Sequence, residues 1–162
     1  MLLAGCSPEP EPTPTPTPAF ASEEEAFAAA EETYRAYAEA LNQVDFALPA
    51  TFEPVYALLS GAAADSTKKA FSEFHAKRIR TAGVTTYDTV TRVSADLVGG
   101  VIHVNVCTDV SEVVVVDASG ASIVSEERPP RQSMMVTFKV RGGDDELTIS
   151  DLEASEDLFC AR

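Results

Sequence analysis

The 162-residue chain is short of positive charge, with 12 Lys and Arg against 26 Asp and Glu and a formal net charge of −14. A nucleic-acid-binding domain needs a basic surface to displace counterions from phosphates, so the composition argues against that partner. The chain has only two histidines and three cysteines, none of the latter in a C-x-x-C. No zinc-ligand spacing, Gly-rich phosphate loop or nucleophile elbow occurs, so no metal or cofactor is expected. Nor does any apolar run approach the roughly 18 residues of a membrane span. What is present suffices for folding: 45% of residues are apolar, enough for the core of one domain plus a tail.

The deficit of cations is uneven. Residues 1–34 carry Glu9, Glu11, Glu23, Glu24, Glu25, Glu31 and Glu32 without one Lys or Arg, whereas Lys68, Lys69, Lys77, Arg78 and Arg80 crowd into one segment. A solvated helix face accounts for such a run, and so does an interaction face.

Leu3, Ala4, Gly5 and Cys6 match the bacterial lipobox, in which small residues before a Cys admit the signal peptidase. The resemblance implies a diacylglyceryl thioether on Cys6 and an anchored, extracytoplasmic domain. The basic and apolar regions of a signal peptide, the latter about 7–15 residues, do not fit within four residues and are expected upstream of Met1. Two acyl chains would meet the two-signal requirement for stable membrane anchoring. Residues 7–18 then alternate Pro with Glu or Thr. Such a segment prefers polyproline II and could hold the domain about 40 Å from the bilayer at roughly 3.1 Å per residue. Thr13, Thr15 and Thr17 are compositional glycosylation candidates. With Cys6 assigned to lipid, Cys107 and Cys160 form an even pair, expected to be a disulfide in oxidising surroundings; two separate buried thiols are the alternative. The domain is expected to occupy 22–162, after a lipobox and tether in 1–21.

Ser22 before three Glu reads as a capping-box start. Phe27, Ala30, Tyr34, Tyr37, Leu41 and Val44 then recur every three or four residues, predicting an amphipathic helix of about 20 residues. A shorter helix is expected from Thr51, tolerating Pro54 and stopping by Gly61. A third is expected to be capped by Asp65, with Ala70, Phe71, Phe74 and Ile79 inward and Gly83 ending it. From Val84 the period becomes two. Strands are expected over 86–97, over 101–116 with a bend near Ser111, through Met134, Val136, Phe138 and Val140, and at Leu147 and Ile149. Turns are expected at Gly99–Gly100, in 117–120 and at Gly142, Gly143 and Asp144. Helices followed by sequential strands imply an α+β domain, an antiparallel sheet with helices on one face.

This order, three amino-terminal helices and then a curved meander, resembles the NTF2-like (SnoaL-like) α+β cone. The run Cys107-Thr-Asp109-Val-Ser111-Glu-Val113, then Asp117-Ala-Ser-Gly120, Arg128-Pro129 and Phe159-Cys160, resembles secreted actinobacterial lipoproteins of uncharacterised function. That likeness implies the Cys107–Cys160 bridge and no activity. The cone fold implies a hollow between sheet and helices, used by some relatives for acid–base catalysis and by many for binding or homodimerisation.

Strand alternation sets Ile102, Val104 and Val106 on one face and His103, Asn105, Cys107 and Asp109 on the other. An Asp beside a His can fix the tautomer a general base needs. A solvent-facing strand shows the same alternation with no chemistry. His75, beside Phe74, reads as a half-buried histidine or part of the basic face. Tyr34, Tyr37 and Tyr56 could line a hollow but read first as core. Three functions follow. The leading one is a non-catalytic, membrane-tethered domain binding a small molecule or protein. A second is a small enzyme on an extracellular metabolite with His103 as base and Asp109 or Asp88 as its partner. In the third, the cluster from Lys68 to Arg80 docks an acidic polymer or the acidic face of a partner.

Overall fold

The structure, a computed structural model, describes residues 17–142, 146–155 and 160. Cys6, the expected tether through residue 16, Gly143, Asp144 and Phe159 lie outside the described residues.

Helix α1 spans Glu23–Leu41. Ser22 Oγ accepts the Glu25 N–H at 3.2 Å, and Glu25 Oε2 accepts the Ala21 N–H at 2.9 Å, a reciprocal cap that satisfies two otherwise free donors. Phe27, Ala30 and Tyr34 of the expected stripe are buried, together with Ala26 and Ala38. Val44 lies beyond the helix but packs against the same core. A 3₁₀ turn, Pro49–Phe52, leads into the short α2, Glu53–Ala57, which places Phe52 and Val55 inside.

Helix α3, Gly61–Ala76, departs from expectation at both ends. Ser60, not Asp65, is its N-cap. Strand geometry dictates this start: the Ser60 N–H donates to Ile149 O at 2.8 Å and the Ile149 N–H to Leu58 O at 2.9 Å, so the α2–α3 junction is pinned to the last strand. At the other end the helix stops well before Gly83. Arg78 takes the left-handed conformation (φ 55°), the Arg78 N–H donates to His75 O at 3.1 Å and the Ile79 N–H to Phe74 O at 2.9 Å. This is a Schellman cap with Arg where Gly is usual. Ile79 is then buried outside the helix.

Strand β1 (Arg80–Ala82) follows, in a segment expected to be helical, and pairs antiparallel with β4 (Val114–Val116). Gly83 (φ +85°) turns the chain from β1 toward β2; a Cβ there would lie 2.0 Å from Glu112 O, so only glycine fits this close approach to the β3–β4 link. The main sheet has strand order β2-β3-β5-β6, from β2 (Thr86–Asp96), β3 (Val101–Asp109), β5 (Arg131–Val140) and β6 (Leu147–Ala154), all neighbours antiparallel. The expected break near Ser111 falls between β3 and β4.

Register shifts interrupt β2 between Tyr87 and Thr89 and between Arg92 and Ser94, and the β5–β6 pairing at Thr137–Phe138. Each bulge bends its strand and increases its twist, curving the sheet. Ile102, Val104, Val106, Val136, Phe138 and Ile149 line the helix-facing side, all at most 1% exposed. Burying each such side chain contributes about 1.5–3 kcal/mol. The Cys107–Cys160 disulfide is formed. No described helix is long and apolar enough to cross a membrane.

Candidate functional site

On the sheet face turned away from the helices, His103 is half-buried and its Nδ1 lies 3.1 Å from Thr137 Oγ1. The expected carboxylate partners stand elsewhere. Asp109 is on the same strand, about 20 Å away at roughly 3.3 Å per residue. Its carboxyl is held below the ordinary range by the hydroxyl and N–H of Ser111, the latter at 2.9 Å. Asp88, at a β2 bulge, accepts both Arg131 Nη2 contacts at 2.8 and 2.7 Å; that bond and the Thr89 hydroxyl lower its pKa. The same Arg131 Nη2 lies 3.0 Å from Cys107 Sγ. This face is therefore a structural network around the disulfide, and the structure does not bring His103 together with Asp109 or Asp88.

The five clustered cations are also divided. Lys68 Nζ sits 5.6 Å from the Tyr56 ring centroid, Lys69 is exposed, and Lys77 pairs with Glu73 at 3.7 Å. Arg78 and Arg80 instead border an open hollow of about 630 Å³ with His75, Phe46, Ala47, Ala76, Ile79 and Ala118. Three elements build it. The Schellman cap of α3 projects Arg78 and buries Ile79. The β1–β4 pairing brings Arg80 opposite Val116 and so beside the turn holding Ala118. The loop after α1 supplies Phe46, whose carbonyl accepts a bond from His75 Nδ1 at 2.7 Å; because a carbonyl only accepts, the proton is on Nδ1.

Phe46 is itself buried, edge-on to Phe71 and Phe74 at centroid distances of 5.2 and 5.1 Å, so this wall is backed by packed aromatic rings. Gly120 lies against Arg80: a Cβ there would be 3.9 Å from its Nη2. Among the described residues neither Arg78 nor Arg80 has a carboxylate at ion-pair distance. A smaller hollow of about 220 Å³, lined by Leu41, Asn42, Val44, Thr81 and Gly83 among others, shares Phe46. At the opposite pole, a hollow of about 700 Å³ is edged by Glu23, Glu24, Phe27 and Arg92.

Tyr34 and Tyr37, noted as possible lining, belong to the packing. Tyr34 is buried edge-on to Tyr87 at 5.0 Å, and desolvation followed by the neighbouring tyrosines raises its pKa. Burial raises that of Tyr37 to about 12. Among the described residues no cluster of three or more His, Cys, Asp or Glu is placed to hold a metal ion.

No family model matches the chain, and neither does any curated protein. Solved structures do. ActVI-ORFA from Streptomyces coelicolor is 20% identical, over 82% of this chain and 97% of its own, with a TM-score of 0.50. A protein from Novosphingobium aromaticivorans described as an aromatic ring hydroxylase is 11% identical, over 84% and 97%, with a TM-score of 0.51. Aln2 from a further Streptomyces species is 17% identical, over 87% and 98%, with a TM-score of 0.46. At 11–20% identity the first two of these show a likeness of fold alone, consistent with the NTF2-like α+β cone of helices packed on an antiparallel sheet.

Proposed function

We propose that this protein is a lipid-anchored, extracytoplasmic binding domain, tethered to the cell membrane through Cys6 and performing no turnover. The Leu3–Cys6 motif and the Pro/Thr segment behind it support the anchor. The observation that carries the binding role is a contrast. The one histidine on a strand face has a threonine hydroxyl for a partner, while two arginines without a carboxylate at ion-pair distance among the described residues border an apolar hollow. A general-base histidine is commonly oriented and made more basic by a carboxylate, and among the described residues His103 contacts the Thr137 hydroxyl instead. A concave apolar surface with few polar groups is what a binding site requires.

Two measurements on full-length protein extracted from membranes test the reading. Intact-mass analysis is expected to find a diacylglyceryl group on Cys6, and native mass spectrometry a retained small molecule or partner. A free Cys6 thiol sinks the anchor. A metabolite consumed by wild type and spared by the His103→Ala variant sinks the non-catalytic half.

A further inference from the structure

We propose that the hollow at the C-terminal end of α3 binds a small amphiphilic organic anion, with a carboxylate or phosphate head held by Arg78 and Arg80 and an apolar body against Phe46 and Ile79. This rests on the binding-domain reading above and gives it a site and a ligand class.

Charge is the first argument. The chain carries a net charge of −14, yet among the described residues no Asp or Glu lines this hollow. The nearest acids in sequence are turned into their own loops. Asp45 Oδ1 accepts the Ala47 N–H at 2.8 Å, and Asp117 Oδ1 accepts the N–H groups of Ser119 and Ala121 at 2.8 and 3.0 Å and the Ser119 hydroxyl at 2.6 Å. Those bonds hold the two carboxylates in their loops, and among the described residues no carboxylate stands within ion-pair distance of Arg78 or Arg80. A planar guanidinium matches carboxylate and phosphate oxygens with parallel donors, which favours those heads over a diffuse anion.

Backbone conformation is the second. Arg78 occupies a left-handed position where glycine is usual, and this conformation sets its side chain at the rim of the hollow. Shape is the third. A volume of about 630 Å³ lies within the range of small-molecule sites, and Phe46, Ala47, Ala76, Ile79 and Ala118 make most of its lining apolar. A flat acidic surface would leave that floor unused.

Placement favours a dissolved ligand over a bilayer lipid. The chain enters the domain at the β2–β3 turn, where the Ala19 N–H donates to Leu97 O at 3.3 Å. Helix α1 starts beside Arg92, which stacks over Phe27, and ends where Asn42 bonds Thr85. Its 19 residues span about 28 Å. The hollow thus opens at the pole opposite the tether.

Titration calorimetry and amide NMR on the full-length Cys6→Ser chain, which carries no acyl group, test this with dodecanoate below its micelle concentration. Binding is expected, with shifts confined to the Phe46–Ala47, Ala76–Arg80 and Ala118 segments. Acetate and dodecyltrimethylammonium are expected at least 10-fold weaker, and vesicles of phosphatidylglycerol are expected not to bind. The Arg78→Gln, Arg80→Gln double variant should lose at least 10-fold in affinity with an unchanged circular dichroism spectrum. Undiminished affinity in that variant, equal affinity for the cationic chain, vesicle binding without dodecanoate binding, or no binding of dodecanoate each overturns the proposal. Shifts elsewhere, such as around His103, overturn the site and leave the binding-domain reading standing. Turnover or an unmodified Cys6 overturns that reading while leaving affinity at the hollow untouched.

Discussion

The outer sheet face around His103 and the pole around His75 hold similar side chains and differ in what the fold does with them. On the sheet face Arg131 bonds Asp88 and touches the disulfide sulfur, and His103 meets Thr137, while Asn105 Oδ1 and Arg131 Nε are buried without a partner among the described residues. At the pole, Arg78 and Arg80 border a concavity with an apolar floor. A polar group paired in place contributes to stability, whereas one left facing a hollow is available to a ligand. Concavity and the absence of a nearby carboxylate among the described residues, more than residue type, separate the two regions.

The contrast can be broken where the sheet is strongest. Phe138→Ala removes a side chain with 0% exposure and should cost about 3–5 kcal/mol in urea unfolding. A loss under about 1 kcal/mol would mean that the sheet core is not where stability resides. Replacing Cys107 and Cys160 by Ala opens a closure spanning 53 residues and should cost roughly 4 kcal/mol in the chain-entropy account. Affinity at the hollow should survive, since the bridge lies on the other face; a parallel loss of binding would show the two regions to be coupled.

Alkaline pH probes the packing between them. Tyr37 has a folded-state pKa raised by burial to about 12, so its contribution is complete below the unfolded value near 10 and is lost as pH rises through 12. The expected loss is on the order of 2–3 kcal/mol by pH 12, and Tyr37→Phe should flatten that slope. A slope identical in the variant would place the titration elsewhere. The smallest effect is the sharpest. Arg78→Gly relieves a left-handed non-glycine residue and should raise stability by about 0.5–1 kcal/mol while weakening dodecanoate. Stability and affinity falling together would show that Arg78 is structural.

Much of the scaffold was legible in sequence. The stripe from Phe27 to Leu41, the Ser22 cap and the alternation through Met134–Val140 are local periodicities, and they fold as expected. The candidate site was legible only in part. Arg78, Arg80 and His75 stood out as side chains, but β1 did not: three residues carry no measurable period, and Gly83 looked like the end of a helix that stops at Ala76. Without β1 nothing places Arg80 near Ala118. The available signal was the β-branched triplet Val114–Val116, a strand past the bend near Ser111 that needs a partner.

By itself the sequence determined the long helix, the main strands and their buried faces, because helix and strand periods and cap chemistry act over a few residues. Only the tertiary structure decided the bulges that curve the sheet, the early stop of α3 and the meeting of residues 46, 78, 80 and 118. Those depend on contacts between segments far apart in the chain, whose free energy no local pattern encodes.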